Sequence, residues 1–131
     1  MNYLIDTHYI LWALFDPRKI PARIVKIFEN EEDEKYVSGI SLWEISLKYS
    51  IGKLELYGTN PEGIYDLIQE AGFKVLDLKN IDAATFFRLP LTENHKDPFD
   101  RLLIWQAIQN NFIFLTKDKK IEQYRKVGLR L

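Results

Sequence analysis

Short apolar runs alternate with amphipathic segments along the whole chain, and the spacing of the apolar positions sorts them into strands and helices. Tyr3 to Asp6 reads as a strand and Tyr9 to Phe15 as the helix after it, closed by Pro17. Pro21 opens a second helix with apolar positions at Ile24, Val25, Ile27 and Phe28, followed by an acidic turn from Glu29 to Glu34 and a strand at Lys35 to Ser38. A helix over Ile40 to Tyr49 comes next, and Gly52, Gly58 and Pro61 punctuate a loop region. A helix through Ile64, Leu67 and Ile68 stops at Gly72, the usual carboxy-terminal place for glycine. Phe73 to Leu78 reads as a strand, Ile81 to Arg88 as a helix leading to Pro90, and the residues to Asp97 as a polar loop. Pro98 to Gln109 is then a helix, Phe112 to Thr116 a strand, a last short helix carries Ile121 and Tyr124, and Leu129 to Leu131 reads as an edge strand. Strands alternating with helices predict an α/β fold, a mostly parallel central sheet covered on both faces.

Composition narrows the chemistry. The 131 residues suit one domain spanning 1–131, with 47% hydrophobic and 28% charged residues and no low-complexity stretch or internal repeat. Without cysteine there are neither disulfides nor thiolate ligands, so a bound metal must use oxygen or imidazole. The amino-terminal run meets Asp6 too early for a secretion signal or membrane span, and a cytoplasmic protein is expected. The net charge of -1 is a poor balance for gripping nucleic acid by charge alone, unless some acids surround bound cations that reverse the local field.

Four acids merit singling out. In an open parallel sheet, functional groups gather outside the carboxyl ends of the strands, where helix amino termini also point. Asp6 ends the first strand, Asp118 follows the strand at Phe112 to Thr116, and Asp100 lies in the first turn of the helix opened by Pro98. Glu44 sits deeper, in helical register with Ile40, Leu47 and Ile51, and Asp100 heads a stripe of Leu103, Ile104 and Ala107, from which Arg101 points away. Four bare carboxylates meeting within about 5 Å would each repel a neighbour by roughly 3 kcal/mol at an effective dielectric near 20. A divalent cation relieves that repulsion, and all-oxygen ligation favours Mg²⁺ or Mn²⁺ over zinc.

Capping competes as an explanation. Asp97 before Pro98 reads as an N-cap, Ser41 with Glu44 fits a capping box, and Asp6 and Asp118 could each cap the helix that follows. Capping does not account for an inward Glu44 or Asp100. His8 and His95 are single and far apart in sequence, which gives little support to a histidine acid and base pair. Arg101, Lys117, Lys119 and Lys120 lie near the acids in sequence and are candidates for holding phosphates, with solvated surface charge as the plainer reading of each lysine. The aromatics Tyr9, Trp12, Phe15, Trp43 and Trp105 fit either a core or an anchoring surface.

Four segments in order, LIDTH, SGISLWEISLK, HKDPFDRLLIWQA and LTKD, resemble the PIN-domain nucleases, and the VapC type of toxin in particular. The resemblance runs over nearly the whole chain, with HKDPFDR its most specific piece. It implies a three-layer α/β/α sandwich and an endoribonuclease dependent on Mg²⁺ or Mn²⁺ that cleaves RNA with an activated water, held inactive by a small antitoxin protein and expected to form a homodimer. The family's four acids fall on Asp6, Glu44, Asp100 and Asp118, with Thr7 and Thr116 at the polar positions beside the first and last. Trp105 departs from the small residue expected in its helix. Two other readings compete: a catalytically silent adaptor of the same fold, and a phosphoacceptor signalling domain, which would want a second acid beside Asp6 where Thr7 and His8 stand.

Overall fold

The computed structural model describes residues 1–131. Its centre is a four-stranded, wholly parallel sheet in the order β3-β2-β1-β4, built from β1 (Asn2–Ile5), β2 (Glu34–Ser38), β3 (Lys74–Leu76) and β4 (Ile113–Leu115). Around it lie α1 (Thr7–Phe15), α2 (Ala22–Glu29), α3 (Gly39–Ser50), α4 (Pro61–Glu70), α5 (Asn80–Thr85) and α6 (Pro98–Asn110). Strand side chains alternate between faces, and two separate cores follow from that period of two. Tyr3, Ile5, Val37 and Leu115 point into one core with Ile10, Ile24, Ile45, Ile64 and Ile68 from α1 to α4. Leu4 and Phe114 point into the other with Leu103, Ile104 and Ala107 of α6. The sheet is therefore covered by helices on both faces, as the α/β reading expects.

Several expected elements are shorter or different. The third and fourth strands keep only Lys74–Leu76 and Ile113–Leu115 of their expected spans, and Leu129 to Leu131 contributes a single parallel bridge, Ile113 with Arg130, where an edge strand was expected. The last helix is a 3₁₀ segment over Lys119–Val127, and the helix expected over Ile81 to Arg88 is α5 followed by a 3₁₀ turn at Phe86–Arg88. Gly72 does end its helix as predicted, with φ 92°, a conformation most side chains avoid, and Phe73 N donates to Ile68 O at 3.0 Å.

Strand order fixes where a site can form. From β1 the chain runs outward to β2 and β3, then returns to place β4 on the opposite side of β1. The connection leaving β1 runs to β2 on one side, whereas β4 arrives from β3 on the other, so the strand order switches between β1 and β4 and a crevice opens at the carboxyl ends of those two strands. Asp6 directly follows β1, and its backbone N–H donates to Leu115 O of β4 at 2.9 Å.

Candidate active site

Helix starts deliver the acids. Asp6 is the N-cap of α1, accepting from His8 N at 3.4 Å, and Asp118 caps the terminal 3₁₀ segment, accepting from Lys120 N at 2.9 Å. Capping and site formation therefore coincide at these two residues. Asp97 caps α6 by accepting from Phe99 N and Asp100 N, with Pro98 at the first helical position as the sequence predicts. That cap sets the first turn from which Asp100 projects.

Asp6, Asp100 and Asp118 line one cleft of about 280 Å³ together with His8, Lys117 and Lys119. Glu44 stands beside it, lining a neighbouring cleft with Thr7, His8, Lys48 and Lys53. Its carboxylate is buried, at 4% exposure, and its charge still reaches Asp100. The route to this burial differs from the expected stripe, because Leu47 and Ile51 are exposed, and the buried neighbours on α3 are Ile40, Ser41 and Ile45. Nor does Ser41 form a capping box. Ser38 caps α3 through Ile40 N, and Ser41 turns to Thr7 instead.

Two threonines hold two of the acids. Thr7 Oγ1 lies 2.9 Å from both Glu44 Oε1 and Ser41 Oγ; its single proton goes to the carboxylate, so Ser41 supplies the other bond. Thr116 Oγ1 donates to Asp6 Oδ2 at 2.6 Å while accepting from Asp118 N at 3.1 Å. Thr7 and Thr116, expected at the polar positions beside the first and last acids, bond Glu44 and Asp6 themselves. Arg101 departs from its expected place altogether: it is buried, and its guanidinium donates to Leu89 O, Pro90 O and the Tyr124 hydroxyl. Those bonds leave it holding the loop before α6. Trp105 is also buried, its indole N–H donating to Thr85 and so tying α6 to α5.

The electrostatics are uneven around the cleft. Burial pushes the Asp100 carboxyl up, and the nearby charges of Asp6, Asp97 and Glu44 add to it, raising its pKa to about 7. At Asp6 burial acts in the same direction, but the His8 contact and the Thr116 bond outweigh it and hold the carboxyl below its ordinary value. His8, 3.8 Å from Asp6 Oδ1, is raised in turn by that carboxylate. Lys48 bonds Glu44 from one helical turn away; burial alone would lower the ammonium, but the Glu44 bond and charge raise it. Lys117 stands 5.2 Å from the Trp12 ring and Lys119 lines the cleft, so positive charge rims the acids.

One residue the sequence reading set aside belongs here. His95, five positions before Asp100, places Nε2 3.6 Å from Asp100 Oδ2 and 4.0 Å from Asp118 Oδ2, and burial holds its imidazole below the ordinary pKa. The ligand atoms of His95, Asp100 and Asp118 all lie within 4.8 Å of one another. Its distance from His8 in sequence hid this, and only the proximity of His95 to Pro98 and Asp100 in the HKDPFDR segment hinted at it.

The donor set suits a hard divalent cation. Three carboxylates face one small cleft, a fourth lies beside it, and one of them is forced toward its protonated form when no positive charge compensates. An α/β fold with a parallel sheet and an acidic crevice beside its first strand is the class these observations define.

The sequence pattern of the PIN domain matches residues 3–127, and the chain belongs to the PIN domain family. No curated protein matches the chain in sequence. Among solved structures, VapBC2 from Rickettsia felis bound to a promoter DNA fragment is similar with a TM-score of 0.68 and 18% identity, covering 100% of this chain and 97% of that one. VapBC-1 from nontypeable Haemophilus influenzae gives 0.67 and 21%, covering 99% and 96%, and DNA-bound VapBC from Salmonella typhimurium gives 0.61 and 18% with the same coverage. These similarities establish the PIN fold.

Proposed function

We propose that this single domain is a metal-dependent endoribonuclease of the VapC type, the toxin of a toxin and antitoxin pair. The observation that carries the reading is Asp100, whose carboxyl is pushed up to about 7 by burial and three neighbouring acids in a cleft open to solvent. Such crowding suits a site completed by a cation, and the VapC reading is supported by the VapBC complexes among the solved structures of the same fold. Asp6, Asp100 and Asp118 would hold Mg²⁺ or Mn²⁺, with Glu44 completing the charge from beside the cleft. When bound, the ion supplies positive charge to a phosphate and acidifies water.

The chain's own residues do the remaining work. Thr116 keeps Asp6 turned into the cleft, Thr7 keeps Glu44 in place, and Lys117 and Lys119 draw the RNA phosphates to the rim. Water is the nucleophile at phosphorus and the 3′ oxygen leaves with a proton, so the P–O3′ bond breaks and cleavage leaves a 5′-phosphate and a 3′-hydroxyl. A small antitoxin protein and a homodimeric state belong to the same proposal.

The test uses purified protein and a structured RNA. Cleavage with Mg²⁺ or Mn²⁺, its loss on chelation, and its loss in Asp6→Asn and Asp100→Asn are expected. Full cleavage by Asp100→Asn would overturn the assignment, and no cleavage by the wild type with either metal would favour a catalytically silent adaptor.

A further inference from the structure

Behind the acidic cleft lies a buried polar chain that the proposed reaction does not use. Arg101 Nη1 donates to Tyr124 Oη at 3.0 Å, and Tyr124 Oη lies 2.9 Å from His95 Nδ1. The His95 side chain is 4% exposed and Tyr124 is 1% exposed. On its far side, His95 Nε2 has no hydrogen-bond partner and faces Asp100 and Asp118.

Proton bookkeeping assigns the direction of each bond. A guanidinium only donates, so Tyr124 accepts from Arg101. The phenol still carries one proton, and the other polar atom beside it is His95 Nδ1. Burying that proton unpaired would cost about 1–3 kcal/mol, so Tyr124 donates to Nδ1. A neutral imidazole that accepts at Nδ1 carries its own proton at Nε2. That N–H stands beside the two carboxylates, 3.6 Å and 4.0 Å from their nearest oxygens, where it acts through the positive end of its dipole and not through a hydrogen bond, and it makes Nε2 a donor with no lone pair left for a metal.

We infer that His95 is a positioning residue of the acidic site: its Nε2–H steadies the Asp100 and Asp118 carboxylates, and the Arg101 and Tyr124 chain fixes the tautomer that lets it do so. The inference rests on the reading of this cleft as a cation site. It explains why Arg101, beside the acids in sequence, is spent on Tyr124 and two backbone carbonyls. Outer groups that orient metal ligands in this way commonly contribute 10-fold to 100-fold to metal affinity.

The experiment is nitrogen NMR of the full chain with ¹⁵N-labelled histidine, without metal and with Mg²⁺. The chain has two histidines, so the spectrum of His95→Gln assigns the signals. The expected result is a proton on Nε2 and an unprotonated, hydrogen-bonded Nδ1 for His95 in both states. A proton on Nδ1 of His95 overturns the inference, and so does a directly bound histidine nitrogen in the pulsed EPR of the Mn²⁺-loaded protein that disappears in His95→Gln and persists in His8→Gln, which would make His95 a ligand.

Mg²⁺ titration of variants checks the role. His95→Gln places an amide N–H where Nε2 stands and should keep the affinity, whereas His95→Asn, whose amide stops at the Nδ1 position, should weaken it about 10-fold. Tyr124→Phe should release the tautomer and weaken Mg²⁺ similarly. Equal affinity in His95→Asn and wild type refutes the positioning role. None of these readouts depends on RNA cleavage, so a failed nuclease reading and a failed tautomer are told apart.

Discussion

Asp100 is where local chemistry is least comfortable. Unfolded, its carboxyl titrates near the ordinary value of 3.8, whereas folded it is raised to about 7, so the folded protein holds that proton more tightly. A raised acid contributes no penalty below the unfolded value and its full penalty above the folded one. Without metal, stability attributable to this group is therefore lost as pH climbs from about 4 through 7. A three-unit shift would convert to about 4 kcal/mol, but solvent at the partly exposed carboxylate reduces this to ~1–2 kcal/mol. Asp100→Asn should be more stable than wild type by that amount at mildly alkaline pH and indistinguishable from it near pH 4, measured by urea unfolding in chelator. A variant less stable than wild type above pH 7 would contradict the crowding. Thr7 offers a second test. Thr7→Val keeps the shape but leaves the buried Glu44 carboxylate short of a donor, and a loss of ~1–3 kcal/mol in the same assay is expected.

Residue types and spacing made these acids legible, though for mixed reasons. Glu44 is inward as the helical register predicted, yet Leu47 and Ile51, offered as its companions, are exposed, because α3 packs on the sheet through its amino-terminal half. Arg101 shows the opposite failure. Its nearness to Asp100 in sequence suggested phosphate binding, while the carbonyls of Leu89 and Pro90 and the Tyr124 hydroxyl claim its donors.

Helix starts are the elements that build the site. Asp97 bonds two backbone N–H groups of the first turn of α6 and lends its charge to Asp100. These roles separate by substitution. Asp97→Ala should lower stability by ~1 kcal/mol through loss of the cap, while Asp97→Asn keeps the cap and removes the charge. Thermal unfolding should find Asn close to wild type and Ala well below it, and equal losses in the two would show that the charge, and not the cap, mattered. The caps at Asp6, Asp97 and Asp118, the proline at N1 and the glycine that ends α4 were readable, since each satisfies or terminates a backbone locally, whereas at α3 the cap is Ser38 and not the expected box of Ser41 with Glu44. The 3₁₀ geometry of Lys119–Val127 and the single bridge at Arg130 were not, because the carboxy-terminal segment takes its form from packing Ile121, Tyr124 and Leu129 against α6 and β4.

For the whole molecule, the proposed cation site means that a bound cation and the fold would support each other. A ligand that binds only the folded state adds ~2.7 kcal/mol at 100 times its dissociation constant. Mg²⁺ should therefore raise the unfolding temperature of the wild type, chelator should reverse the rise, and Asp100→Asn should gain much less. An unfolding temperature unmoved by Mg²⁺ or Mn²⁺ would remove the cation from the account. No helix is long and apolar enough to cross a membrane, and rim lysines offset the acids where RNA would approach.

The sequence by itself determined the α/β alternation, the parallel sheet, the caps at Asp6, Asp97 and Asp118 and the four acids as candidates, because periodicity, capping and residue chemistry act over a few neighbouring positions. Tertiary structure alone decided that three acids share one cleft while Glu44 stands beside it, that the threonines hold the acids, and that His95 faces Asp100 and Asp118. The reason is strand order: placing β4 beside β1 joins residues more than 100 positions apart, as in the bond from Thr116 to Asp6. Local spacing carries no record of that adjacency.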